Sequence, residues 1–156
     1  MFRIAAFLLL LGAPVFASDA SLVDLKISNP VIYKAFDKAR SAAGYMMIGN
    51  ASDVSDVLID VQTNKFRPMI HESQESDGIA RMVHLDAVEI PAGGTVHFAP
   101  GGLHIMIMGL QPGELQAGET LDAVLVFDRA GEVPVTFTVE AMPMGENDHS
   151  DHEMTN

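Results

Sequence analysis

The chain has 156 residues, a formal net charge of −12 and no cysteine. This length fits one domain with a core of its own, and the acidic balance argues against nucleic acid or an anionic membrane surface as a partner and for attraction to cations. The lack of cysteine excludes disulfides, blue-copper centres and every other thiolate site.

The first 17 residues have the features of a secretory signal peptide. Arg3 supplies the positive charge, Ile4 to Leu11 the apolar run, and Val15-Phe16-Ala17 a cleavage site with small residues. The apolar run is too short to span a bilayer, and no later segment reaches the required length. We therefore expect an exported, soluble protein with no membrane span, beginning near Ser18.

From Leu22 to Glu140, short β-branched or alternating runs recur between turn signals. No long segment has the period of an amphipathic helix, although Lys34 to Arg40 could form one turn. The pattern predicts an all-β domain, as an antiparallel Greek-key sandwich or a cupredoxin-like barrel. The predicted strands are Leu22–Ile27, Val31–Ile32, Ala42–Ile48, Asp56–Gln62, Arg67–His71, Ile79–Leu85, Ala87–Ile90, Thr95–Phe98, His104–Met108, Thr120–Phe127 and Val133–Val139.

Dipeptides and short runs rich in Gly, Pro and Asn separate these strands. Among them are Asn29-Pro30, Asp77-Gly78 inside a polar turn from Glu72 to Gly78, and Pro100-Gly101-Gly102. After Glu140 the pattern changes, because the acidic segment at 141–156 has little apolar content apart from methionine. We expect a domain at 18–140 followed by a flexible Met/His-rich tail at 141–156.

Four side chains form the candidate metal site. His104 and Met106 stand two residues apart, so a strand presents both on one face, while His71 and Met82 flank the predicted polar turn. Thioether sulfur is soft and neutral and suits Cu(I) far better than Zn²⁺, Mg²⁺ or Ca²⁺, and imidazole accepts either copper oxidation state. The donor types therefore indicate copper. Met82 and His84 also share a face, as do Met106 and Met108, so the choice of ligand within each pair stays open.

Other methionines and histidines have simpler interpretations. A single Met in an apolar strand is usually core packing, which we expect for Met46, Met47, Met69 and Met108. A lone strand histidine is more often a hydrogen-bonded or solvated side chain than a ligand, which we expect for His84 and His97. For the tail, a merely solvated acidic end is the alternative to metal binding.

The four candidate ligands also carry a resemblance to a known family, the periplasmic copper chaperones called PCu(A)C. That family's signature is a His, ten residues, a Met, twenty-one residues and His-x-Met, and it falls on His71, Met82, His104 and Met106 without a gap. The resemblance covers roughly Leu22 to Glu140. It implies a cupredoxin-like barrel in the periplasm that binds one Cu(I) through these four side chains at an accessible site.

The resemblance further implies a chaperone and not an enzyme, which delivers copper to the CuA centre of cytochrome c oxidase subunit II or to a related haem–copper oxidase. Other periplasmic copper or thiol proteins are possible partners, and a monomer is expected, with a copper-bridged dimer as the alternative. Tailed members of the family carry a Met/His-rich extension associated with a second copper ion, often Cu(II). The matching residues here are Met142, Met144, His149, His152 and Met154. Storage or resistance without delivery needs the same ligands and stays open.

Overall fold

The computed structural model describes residues 24–36, 38–76 and 78–142, and these form an all-β fold without helix. The predicted signal at 1–17, Ser18 and the tail residues Met144, His149, His152 and Met154 lie outside them. The ten strands are β1 (Leu25–Lys34), β2 (Ser41–Asn50), β3 (Asp56–Gln62), β4 (Met69–Ser76), β5 (Ile79–His84), β6 (Val88–Ile90), β7 (Thr95–Phe98), β8 (Leu103–Met108), β9 (Thr120–Phe127) and β10 (Gly131–Ala141). The all-β prediction is confirmed.

All ten strands belong to one curled sheet in the order β5-β4-β8-β7-β2-β1-β10-β9-β3-β6, and β8 also pairs directly with β2. Most pairings are antiparallel, as predicted, but β1 with β10 and β7 with β8 are parallel. The β1–β10 pairing sets Tyr33 opposite Glu140 and Lys34 opposite Ala141. It therefore brings the end of the domain beside the end of the first strand.

One face of the sheet encloses the core and the other faces outward. Strand β2 alternates strictly between buried and half-buried residues, as the period of two requires. Ile48, Leu58, Ile90 and Leu125, from four different strands, are fully buried on the inner face. Because the sheet is curled, its inner face alone encloses the core, and its outer face takes no part in that core.

Asn29-Pro30 is not the break between two strands that the sequence predicts. The chain continues through it as one strand, with an irregular register between Ser28 and Val31 and with Asn29 at a φ of 52°. Proline cannot donate a ladder hydrogen bond, and a bulge is the usual way for a strand to accommodate it.

The polar stretch after His71 is strand and not turn. Strand β4 runs on to Ser76 and pairs residue by residue with β5, from His71 opposite His84 to Ser76 opposite Ile79. Glu72 to Ser76 have no apolar alternation because this hairpin lies at the edge of the sheet, where cross-strand backbone bonds replace burial. Gly78, at a φ of 72°, occupies the predicted Asp77-Gly78 turn.

Two smaller expectations concern helices. The described residues between Lys34 and Arg40 form no helix, and a turn is closed there by the Ala39 N–H donating to the Phe36 carbonyl at 2.9 Å. In the described part of the chain, no helix is long and apolar enough to cross a membrane.

Candidate metal centre

Three neighbouring strands place imidazole rings in one row on the outer face. His71 on β4 lies directly opposite His84 on β5 and directly opposite His104 on β8. The His71 and His104 rings are stacked, with centroids 6.0 Å apart and planes 21° apart. The His71 and His84 rings meet edge to face, with centroids 5.4 Å apart.

His104 has the side chain best prepared to bind a metal. Its Nδ1 lies 3.0 Å from the Gly102 carbonyl oxygen, which can only accept a hydrogen bond, so Nδ1 carries the hydrogen. Its Nε2 is buried and has no hydrogen-bond partner, and the residue as a whole is 4% exposed. A buried nitrogen lone pair without a partner is costly unless a ligand fills it. A backbone bond to the other ring nitrogen is how metal-binding histidines are usually oriented.

His104 lines a cavity of about 310 Å³. Met82 on β5 and Met106 on β8 line the same cavity, as does Met142, which directly follows β10. Met82 is 64% exposed and Met142 is 44% exposed, which is unusual for large apolar side chains. The cavity therefore combines one oriented imidazole with several accessible thioethers.

Two tyrosines complete the cavity wall. Tyr33 and Tyr45 both line it, and their ring centroids are 5.8 Å apart. Burial raises the pKa of Tyr45, with a smaller effect from neighbouring Tyr33. The Tyr45 hydroxyl therefore stays neutral at physiological pH and offers no anionic oxygen that would favour a hard cation.

The four predicted ligands lie on the same side of the sheet. His104, Met82 and Met106 share the cavity, whereas His71 is not part of the cavity lining and joins the set through its stacking on His104. The His71 Nδ1 is 3.4 Å from the Met69 carbonyl oxygen, a long contact that orients the ring less firmly than the bond at His104. His104 is thus the fixed member of the set and His71 the more adjustable one.

The structure agrees with the prediction for His84, a strand histidine whose side chain is 51% exposed with Nε2 3.4 Å from an Asp86 oxygen, and it also places this ring beside His71. The prediction of core packing is wrong for Met69, which is half-buried on the outer face opposite Met106. Both positions follow from strand register. Ser76 pairs with Ile79, and counting back along both strands from this pair places His71 opposite His84.

The prediction that the other methionines pack in the core is confirmed only in part. Met46 is 2% exposed, as expected for a core residue, whereas Met108 is 48% exposed and the core prediction is wrong for it. Met108 is the last residue of β8 and points away from the inner face, where Ile105 and Ile107 fill the core. His97 is exposed on β7, as predicted.

The donor set is unlike that of a zinc or calcium site. In residues 24–36, 38–76 and 78–142, no three imidazole or carboxylate groups are arranged to hold a metal ion together. An ion held at this cavity would have to take thioether ligands as well, and thioethers bind soft Cu(I) in preference to hard or borderline divalent ions. The residues present therefore fit monovalent copper.

Two solved structures with a similar fold contain copper. The "Copper-bound PCuAC domain from PmoF2" is 28% identical, with a TM-score of 0.63 over 76% of this chain and 93% of that one. The structure of "CuI-DR1885" from Deinococcus radiodurans is 28% identical, with a TM-score of 0.59 over 80% of this chain and 83% of that one. The resemblance to PCu(A)C found in the sequence is thus supported by structural neighbours.

Sequence relatives carry a different name. A curated relative, "Putative lipoprotein Lxx21020" of Leifsonia xyli subsp. xyli (strain CTCB07), is 39% identical over 72 residues, which are 46% of this chain and 43% of that protein. The chain thus matches less than half the length of this relative. The family model "Putative lipoprotein LpqE-like" matches residues 25–139, which include all ten strands except the last two residues of β10. The chain belongs to the LpqE-like family.

Proposed function

We propose that this protein is a copper chaperone that binds Cu(I) through His71, Met82, His104 and Met106. The observation that carries the proposal is the buried, unpartnered Nε2 of His104, a residue that lines one cavity together with Met82 and Met106. Copper in the two solved PCuAC-type neighbours supports the choice of metal. The lipoprotein name of the relatives is in keeping with export, and we propose the periplasm as the location.

The exposure of Met82 suits the site for ligand exchange with an acceptor protein. Met82 is 64% exposed on an edge hairpin, so an acceptor can reach its sulfur without moving the sheet, whereas His104 is held rigidly from β8. An acceptor ligand would displace Met82 first and His104 last. This order allows copper to pass by ligand exchange, without release of the free ion.

The ligands also set the direction of transfer. Neutral imidazole and thioether donors hold Cu(I) without the strong bond that a thiolate adds. A partner that offers cysteine ligands is therefore thermodynamically downhill, and we propose the CuA centre of cytochrome c oxidase subunit II, or a related oxidase, as the recipient. The net charge of −12 favours capture of cations and docking to a basic surface.

A transfer assay tests delivery. The Cu(I)-loaded protein is mixed anaerobically with an apo CuA domain, and copper in each protein is measured after separation. Delivery predicts that most of the copper reaches the acceptor, and that an acceptor whose cysteines are replaced by serine receives little. Negligible transfer to the intact acceptor, with Cu(I) binding itself intact, would favour storage or resistance instead.

A further inference from the structure

A second pair of imidazoles lies beside the proposed Cu(I) site, on its outer side. His71 and His84 face each other across β4 and β5, with ring centroids 5.4 Å apart, which is closer than the 6.0 Å between His71 and His104. The His84 side chain is 51% exposed, whereas His104 is 4% exposed. His71 therefore stands between a buried imidazole and an open one.

The spacing of His71 and His84 suits two rings that share one ion. A metal–nitrogen bond of about 2.0 Å, added to the ring radius, puts each centroid about 3.2 Å from the ion. For a square-planar Cu(II) ion the two centroids are then about 4.5 Å apart when the rings are neighbouring ligands, and about 6.4 Å apart when they are opposite ligands. The observed 5.4 Å falls inside this range.

The surroundings of His84 differ from those of His104. The Asp86 carboxylate oxygen is 3.4 Å from His84 Nε2, and the Asp86 side chain is fully exposed. Imidazole and oxygen donors with open water positions suit Cu(II), whereas the thioether-lined cavity suits Cu(I). His71 therefore lies between donors that suit Cu(II) on one side and donors that suit Cu(I) on the other.

We infer that His71 and His84 form an outer copper position, which takes Cu(II) through two imidazoles and water, with the Asp86 carboxylate orienting the His84 ring. The inference rests on the proposed function, because it treats His71 as shared with the Cu(I) site. His71 has a single free ring nitrogen, so the outer and inner positions compete for it and are not filled together. Cu(II) arriving at the edge hairpin would bind at the open pair, whereas Cu(I) would bind at the thioether-lined cavity.

Cu(II) titration of the full chain carrying His149→Ala and His152→Ala tests this inference, since that tail has no imidazole. Binding is measured against competing glycine, and ring signals of the remaining histidines are followed by NMR. We expect Cu(II) to broaden the His71 and His84 signals first. We expect His84→Phe, which keeps an aromatic ring against His71 but removes its nitrogens, to weaken Cu(II) binding about tenfold or more.

The matched control is His97→Phe, which changes an exposed strand histidine outside the site. It should alter Cu(II) affinity less than about twofold, a size typical of changes away from ligands. Filling the inner position with Ag(I), a redox-inert substitute for Cu(I), should abolish the His84-dependent Cu(II) binding. Equal effects of His84→Phe and His97→Phe would show that the ring pair only stabilises the hairpin, and would overturn the inference.

The result that would contradict the proposed function differs from the result that would contradict the outer copper position. If His104→Ala leaves Cu(I) affinity unchanged, the chaperone site itself is wrong, whatever His84→Phe does to Cu(II). If His104→Ala weakens Cu(I) binding and His84→Phe leaves Cu(II) binding intact, only the outer position is wrong.

Discussion

His71 and His104 lie directly opposite each other on β4 and β8, with their rings stacked 6.0 Å apart at 21°. Both come from strands of one continuous sheet, so the backbone that carries them is already in place before an ion arrives. Only side-chain rotation is left for binding, and a preorganised donor pair loses less conformational entropy when it captures an ion.

The exposed Met82 should be a ligand and not a structural residue. Met82→Ala should weaken Cu(I) binding about tenfold, or ~1.4 kcal/mol, with little change in the free energy of unfolding, because the side chain is 64% exposed. Met46→Ala is the matched control. It removes a side chain that is 2% exposed and should destabilise the fold by about 2–5 kcal/mol while the copper ligands stay unchanged. Urea unfolding and Cu(I) competition together measure both effects, and a large stability loss in Met82→Ala would contradict the assignment.

Two truncations separate Met142 from the rest of the tail. Ending the chain after Met142 should lower the number of Cu(II) ions bound and change Cu(I) affinity less than about twofold, since the cavity keeps all its lining residues. Ending it after Ala141 should weaken Cu(I) binding further, by about threefold, because the cavity loses a thioether. Met108→Ala in the full chain is the control, as Met108 is an exposed methionine outside the cavity lining. Identical Cu(I) affinities for the two truncations would show that Met142 does not take part in binding Cu(I).

Copper binding should be visible in tyrosine fluorescence. The chain has two tyrosines and no tryptophan, and both Tyr33 and Tyr45 line the cavity. An ion bound among Met82, His104 and Met106 should change the emission, and the change should saturate at one equivalent of Cu(I). We expect Tyr33→Phe and Tyr45→Phe each to remove part of the response without preventing binding. Emission that stays constant while copper is bound would place the ion away from this cavity.

Asp56 should be important for stability although it is distant from the candidate ligands in the sheet order. It is 4% exposed and accepts hydrogen bonds from the backbone N–H groups of Val57, Arg129 and Ala130 at 2.7 to 2.9 Å. Asp56→Ala would leave these donors unsatisfied and should cost about 3 kcal/mol in urea unfolding. Asp60→Ala is the control, because the exposed Asp60 accepts hydrogen bonds from its sequence neighbours Val61 and Gln62, and it should cost less than about 1 kcal/mol. Equal losses would show that the Asp56 bonds are not a main contribution.

Much of the fold follows from local pattern. Strand β9 was predicted with its observed bounds, since its alternation of buried and open residues is regular and turn residues stand at both ends. The parallel pairing of β1 with β10 could not be predicted, because it joins residues more than a hundred positions apart and depends on how the whole sheet curls. Without that pairing nothing in the sequence brings Met142 to the cavity that His104 faces.

The candidate site was predictable in its chemistry and only partly in its geometry. The spacing of His104 and Met106 places both on one face of any strand, and the structure has them there. The position of His84 beside His71 was not predicted because the polar residues after His71 were assigned to a turn. Edge hairpins lack the apolar alternation that marks a buried strand, so turn position was the better guide to register.

Cu(I) titration of the full chain, carried out anaerobically against a chromophoric chelator, tests the central claim most directly. The intact protein should bind one Cu(I) at the core site more tightly than the chelator background. His104→Ala should weaken this binding by about 100-fold, or ~2.8 kcal/mol, because it removes a buried imidazole nitrogen that has no hydrogen-bond partner. His97→Ala should match the intact protein. Binding that is no stronger than the background, or that is equal in all three proteins, would contradict the copper site.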